Sequence, residues 1–170
     1  MPRDIPVGNG SLLVTFDRKY QIRDIYYPYV GKENHTIGHP CRMGIWVEGQ
    51  FSWLGDEWQT TLRYKEDTLV TDVKARNDRL KIELQIYDTV DFHLNIFVKE
   101  IVVRNLAGRD REVRLFFNHD FHLCENEVGD TAYYDPDTRA IIHYKSQRYF
   151  LINCCDPNKC GIALLSKLSF

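Results

Sequence analysis

The sequence predicts an all-β fold, an antiparallel β-sandwich of two packed sheets and roughly a dozen strands, on three observations. Apolar and polar residues alternate in "RLKIELQIYD", where Leu80, Ile82, Leu84 and Ile86 share one face and Lys81, Glu83 and Gln85 the other. Period-two alternation marks strands with one buried face. Short runs of this kind are separated by Asn, Asp, Gly and Pro, the residues that tight turns require. No segment shows a capped apolar period of 3.6 residues, so no helix is expected.

The elements follow in order. "SLLVTFD" is a short β-branched run, and a further strand passes through Ile22 into the unusual loop "YYPYVGKENHTIGHP". "CRMGIWVEG", "FSWLG" and "WQTTLRYKED" are strands rich in aromatic and β-branched residues. Turns at Asn77–Asp78, Gly108 and Pro136 predict three successive hairpins: 68–76 with 79–88, 96–105 with 111–123, and 131–135 with 139–145. In "FHLNIFVKEIVVRNL" the alternation fails near Val98 to Ile101, which predicts a β-bulge. "REVRLFFNHDFHL" reads as one strand with Val113, Leu115, Phe117, Phe121 and Leu123 on its apolar side.

Bulk properties bound the function. A chain of 170 residues suits one domain, residues 1–170, able to bury roughly two-thirds of its unfolded surface. Its net charge of −2, with bases interleaved among acids as in "GRDREVR", excludes the clustered cations of a nucleic-acid binder. No apolar run approaches the ~20 residues that span a bilayer, and the opening lacks the pattern of a secretory signal. Five cysteines without framework spacing predict free thiols in a reducing compartment, and hence a cytoplasmic protein. In "CCDPNKC", Cys154 and Cys155 would point to opposite faces of a strand, which suits a metal chelate poorly.

The residues alone give no catalytic constellation. The acids Asp120, Glu125, Glu127 and Asp130 are the candidates for a carboxylate pair, and Glu125 and Glu127 share a strand face at i, i+2. "CENEVGD" reads instead as the polar exit of a strand, with solvated charges. In "NHDFH" only Asp120 and His122 can converge if the segment is extended, and His119 falls on the apolar side, donating one core hydrogen bond. No metal site and no cofactor are assigned. The tryptophans Trp46, Trp53 and Trp58 offer a sugar-stacking platform as one reading and sheet packing as the other, with packing favoured by their strand setting.

Several motifs in fixed order carry a resemblance. They are Gly8–Asn9–Gly10, Arg23–Asp24, Tyr26–Tyr27–Pro28, Val30–Gly31, Glu33–Asn34–His35, and the hairpin from Trp46 through Trp53. With these the chain resembles the start of bacterial and archaeal glucoamylase-like glycoside hydrolases, a group that includes glucoamylases, glucodextranases and related trehalases. The resemblance implies a large N-terminal sandwich, a supersandwich, packed against an (α/α) barrel of paired helices. The barrel carries the two glutamates of an inverting hydrolysis of α-glucosidic bonds, one protonating the leaving oxygen and one activating a water. These 170 residues would then be non-catalytic, with the sandwich's last strands and the barrel lying beyond them. The implied partners are that barrel and an α-glucan, with a stand-alone carbohydrate-binding module or self-association as alternatives. In the loop, Tyr27, Tyr29, Asn34 and His35 are expected to face the barrel, near its sugar pocket. The competing expectation is that Asn34 and His35 hold the loop by bonding its backbone.

Overall fold

The computed structural model describes residues 5–55 and 57–154, together with the backbone of 166–167. The strands are β1 (Ile5–Gly8), β2 (Leu13–Phe16), β3 (Ile22–Tyr26), β4 (Arg42–Val47), β5 (Gln50–Trp53), β6 (Gln59–Tyr64) and β7 (Thr71–Asn77). They continue as β8 (Ile82–Val90), β9 (Ile96–Asn105), β10 (Val113–Asn118), β11 (Thr131–Asp135), β12 (Ala140–Lys145), β13 (Arg148–Ile152) and β14 (Ser166–Lys167). A 3-10 turn covers Leu123–Glu125. The class is the expected all-β, antiparallel one, with the strands grouped in four hydrogen-bonded sheets: β1-β2-β3, β10-β4-β5, β11-β12-β13 and β14-β9-β8-β7-β6.

One apolar core joins these sheets. Val14 and Phe16 from the first, Ile45 and Val47 from the second, Phe150 from the third and Val73, Leu84 and Ile86 from the largest meet in a single cluster. The alternation of β8 does what its pattern predicts, since Ile82, Leu84 and Ile86 are fully buried. Pro6 is tolerated because β1 is an edge strand. No helix among the described residues is long and apolar enough to cross a membrane.

The first predicted hairpin forms as β7 with β8, and the third as β11 with β12. The second does not. β9 pairs with β8 from Ile82↔Asn105 to Val90↔Phe97, whereas β10 crosses to another sheet and pairs with β4 from Val113↔Val47 to Asn118↔Arg42. The turn residues reverse the chain as expected: Gly108 sits at φ +71, and Asn105 Nδ2 donates to the Arg109 carbonyl at 2.5 Å. Arg111 then anchors the exit, its Nη2 donating to the Lys81 carbonyl at 3.0 Å.

The bulge expected in β9 is likewise absent, for its register against β8 is unbroken. Phe97, Ile101 and Val103 pack on the core, and Lys99 lies between them on the same face. The alternation fails there because a lysine points inward. β10 also stops at Asn118, so residues 119–122 are not extended strand and the parity argument for the histidines lapses. Among the described residues His119 finds rings and no hydrogen bond: it stacks near Phe117 and Phe121 and meets His143 edge-on. Cys41 and Cys124 are free thiols, while Cys155 and Cys160 lie outside the described residues.

Candidate functional site

The long loop between β3 and β4 is a folded element. After Tyr27–Pro28 it turns tightly at Gly31 (φ +78), with the Tyr29 carbonyl accepting from the amides of Lys32 (3.0 Å) and Glu33 (3.1 Å). The chain then runs back along β3, Tyr27 N–H donating to the Glu33 carbonyl (3.2 Å) and His35 N–H to the Ile25 carbonyl (2.8 Å). It closes with reciprocal bonds between Ile22 and Cys41.

Asn34 and His35 are the knots of this element. Asn34 Nδ2 donates to Asp24 Oδ1 at 2.8 Å, and its Oδ1 accepts from Thr36 N–H at 3.1 Å and Thr36 Oγ1 at 2.9 Å. His35 is fully buried, with Nε2–H donating to the Tyr27 carbonyl at 2.6 Å and Nδ1 accepting from Cys124 N–H at 3.2 Å. Burial holds its pKa below the ordinary histidine value, partly offset by the bond to Tyr27, and the donor from Cys124 fixes the neutral tautomer. Its ring packs edge-on against Phe150.

A second segment, 119–130, docks against the loop. His122 N–H donates to the His35 carbonyl at 2.8 Å, and Asn34 N–H donates to Glu125 Oε1 at 3.0 Å. From β13, Arg148 forms a two-pronged bond to Glu33 at 2.6 and 3.0 Å, which holds the Glu33 carboxyl below its usual range. Tyr29, Lys32, Glu33, Cys124, Glu125 and Arg148 line an open dish of about 390 Å³ over this junction.

The four loop residues singled out from the sequence therefore divide. Tyr29 is 61% exposed, whereas Tyr27, Asn34 and His35 are buried. Those three are turned inward: the Tyr27 ring meets Phe150 edge-on, and the Asn34 and His35 side chains bond Asp24 and the Tyr27 carbonyl. Only Tyr29 presents its ring outward.

The tryptophans divide as well. Trp46 and Trp53 lie on the outer face of the β10-β4-β5 sheet with Phe51 and Phe116. Phe51 meets Trp53 edge-on at 4.8 Å and Phe116 at 5.6 Å, while the Arg114 guanidinium covers Trp46 at 4.7 Å. Gly44 makes this possible, since a Cβ there would meet Phe51 Cζ at 2.5 Å. Trp58 belongs to the core instead. It is buried, and its Nε1–H donates to Ser52 Oγ at 3.1 Å, so it has no face to offer a sugar.

The acids have local partners. Asp130 Oδ2 accepts from Leu123 N–H at 3.2 Å, Glu125 binds Asn34, and Glu127 is exposed. Glu125 sits in the 3-10 turn, so it does not share a strand face with Glu127. The residue passed over in the sequence is His39. Its ring stacks on His122 with centroids 3.8 Å apart, and its Nδ1 lies 3.8 Å from Asp120 Oδ2. The signal was the second histidine of the loop, in "GHP".

No protein-family model matches the chain. An uncharacterized glycosyl hydrolase of Methanocaldococcus jannaschii is 27% identical over 159 residues, which is 91% of this chain and 25% of that protein. The crystal structure of a bacterial glucoamylase complexed with acarbose superposes with a TM-score of 0.71 at 10% identity, covering 84% of this chain and 21% of that one. The chain thus spans a quarter or less of the length of each. Sequence likeness and fold point the same way as the motifs of the opening loop: the chain is similar in sequence to part of a glycosyl hydrolase and shares its fold with part of a bacterial glucoamylase.

Proposed function

We propose that this chain is the non-catalytic sandwich of a glucoamylase-like glycoside hydrolase. In this reading it supports an (α/α) barrel that hydrolyses α-glucosidic bonds in the reducing cytoplasm. The observation that carries the proposal is the superposition on the bacterial glucoamylase, which uses most of this chain and about a fifth of that enzyme. The acids support it too: Glu125 and Asp130 are engaged in holding the 119–130 segment, not set across a cleft from each other. Tyr29, exposed beside the dish, is the loop's point of contact with the barrel.

The test uses the full-length protein and a maltooligosaccharide. Glu125→Gln and Asp130→Asn are expected to leave kcat within about twofold, whereas a lost general acid or base costs roughly 10²–10⁴. A hundredfold fall in kcat at either position would place chemistry in this chain and end the proposal.

A second reading is favoured by the aromatic face. Phe51, Trp53 and Phe116 are each about 40% exposed on one sheet surface, a shape that suits the apolar face of a pyranose. Here the chain acts as an α-glucan-binding module. Titration with maltooligosaccharides should then give a saturable change in tryptophan fluorescence that Trp53→Ala removes. A flat response assigns the face to protein packing. Sedimentation at several concentrations separates packing on the barrel from self-association, which alone depends on concentration.

A further inference from the structure

We propose that His39, Asp120 and His122 form a binding site for a divalent transition-metal ion of the zinc type, which clips the β3–β4 loop to the 119–130 segment. The ligand atoms of these three residues lie within 4.8 Å of one another. His122 Nε2 is 3.2 Å from Asp120 Oδ1, and His39 Nδ1 is 3.8 Å from Asp120 Oδ2. Bonds of about 2.0–2.2 Å to a tetrahedral ion place its ligands roughly 3.3–3.5 Å apart. Shifts of about half an ångström therefore suffice along these two edges. His39 makes the larger adjustment, swinging its edge away from the stack so that both nitrogens converge, and its side chain is 45% exposed.

A second observation points to the same ion. His122 Nδ1 is buried and has no hydrogen-bond partner among the described residues, with Glu127 Oε1 beside it at 3.8 Å. When Nε2 donates to Asp120, Nδ1 is a buried acceptor without a donor, which costs roughly 1–3 kcal/mol. A metal on Nε2 reverses the tautomer. The proton then sits on Nδ1 and faces the Glu127 carboxylate, the arrangement by which carboxylates orient metal-bound imidazoles.

The frame is already in place. His39 N–H donates to the Thr36 carbonyl at 2.8 Å, and His122 N–H to the His35 carbonyl at 2.8 Å. Two imidazoles and one carboxylate suit zinc, nickel or copper over calcium and magnesium, which prefer oxygen. Three protein ligands leave a position for water, so the ion exchanges.

The test uses the untagged full-length protein, stripped with chelator and titrated calorimetrically with zinc chloride, alongside His39→Ala and Asp120→Asn. His39 is chosen because its half-exposed side chain carries no part of the core. The expected result is one saturable site, at least tenfold weaker in both variants, with a zinc-dependent rise in Tm that His39→Ala abolishes. Calcium chloride should give neither effect. The proposal is overturned if zinc does not bind, or if His39→Ala binds it with unchanged affinity and an unchanged rise in Tm.

Discussion

Lys99→Met is expected to destabilise the protein by about 3–5 kcal/mol, measured as a shift of the urea midpoint. That is the usual cost of removing one partner of a buried ion pair. Lys99 Nζ lies 2.6 Å from Asp88 Oδ1 and also bonds the Tyr20 hydroxyl. Asp88 is fully buried, and its Oδ2 accepts from Tyr20 OH at 2.6 Å and Thr71 Oγ1 at 2.8 Å. The ammonium also sits 4.4 Å from the centre of the Tyr20 ring. Burial pulls the Lys99 pKa down and pushes the Tyr20 pKa well up, with the Asp88 charge opposing the first and reinforcing the second. Methionine would fill the space but leave a buried carboxylate with hydroxyl donors only. Adding Asp88→Asn to Lys99→Met should restore part of the loss, because a neutral amide needs no counter-cation. A loss below about 1 kcal/mol in the single variant would mean that water reaches Asp88 and the pair is not sealed.

The same lysine shows where the sequence stops being legible. β8 could be read residue by residue, since its whole apolar face is core. β9 could not, because a charged residue in the inward row looks like a slip in register when its partners, Asp88 and Tyr20, are 11 and 79 residues away. The partner of β10 was equally hidden. "NLAGRDRE" states that the chain reverses, but β4 receives the strand across more than 60 residues, and local turn chemistry carries no information about that pairing. In the candidate site, the loop's importance was visible and its side-chain directions were not. Outside regular structure no period assigns polar groups to one face, so Asn34 and His35 read outward or inward equally well. Asn34 is turned inward by Asp24, 10 residues away, whereas the bond of His35 to Cys124 and the meeting of His39 with His122 are contacts across 80 residues or more.

His35→Ala should cost roughly 3 kcal/mol or more while leaving the turnover of a maltooligosaccharide by the full-length protein unchanged. Removing the ring strands the buried Tyr27 carbonyl, at about 1–3 kcal/mol, and leaves the Cys124 amide of the exposed 3-10 turn without its acceptor. It also empties space against Phe150. Asn34→Ala should cost somewhat less, because Asp24 keeps its bond from Thr15 at 3.0 Å. The pH dependence identifies the mechanism. His35 has a folded pKa below the unfolded value of 6.5, so the unfolded chain takes up the proton first as pH falls. Its contribution is fully present above pH 6.5 and is lost on acidification below it. His119, held down to about 4 chiefly by burial, acts in the same direction between 6.5 and 4. Protonation of His35 would also set an Nδ1–H against the Cys124 N–H, so charging the ring breaks the bond that positions it. The slope of urea midpoint against pH between 7 and 5 should therefore be shallower in His35→Ala than in the wild type. A variant that kept its stability but lost a hundredfold in kcat would show that the loop reaches the sugar pocket. Unchanged kcat with a lowered, flatter stability profile would fix Asn34 and His35 as the internal brace that lets Tyr29 stand outward.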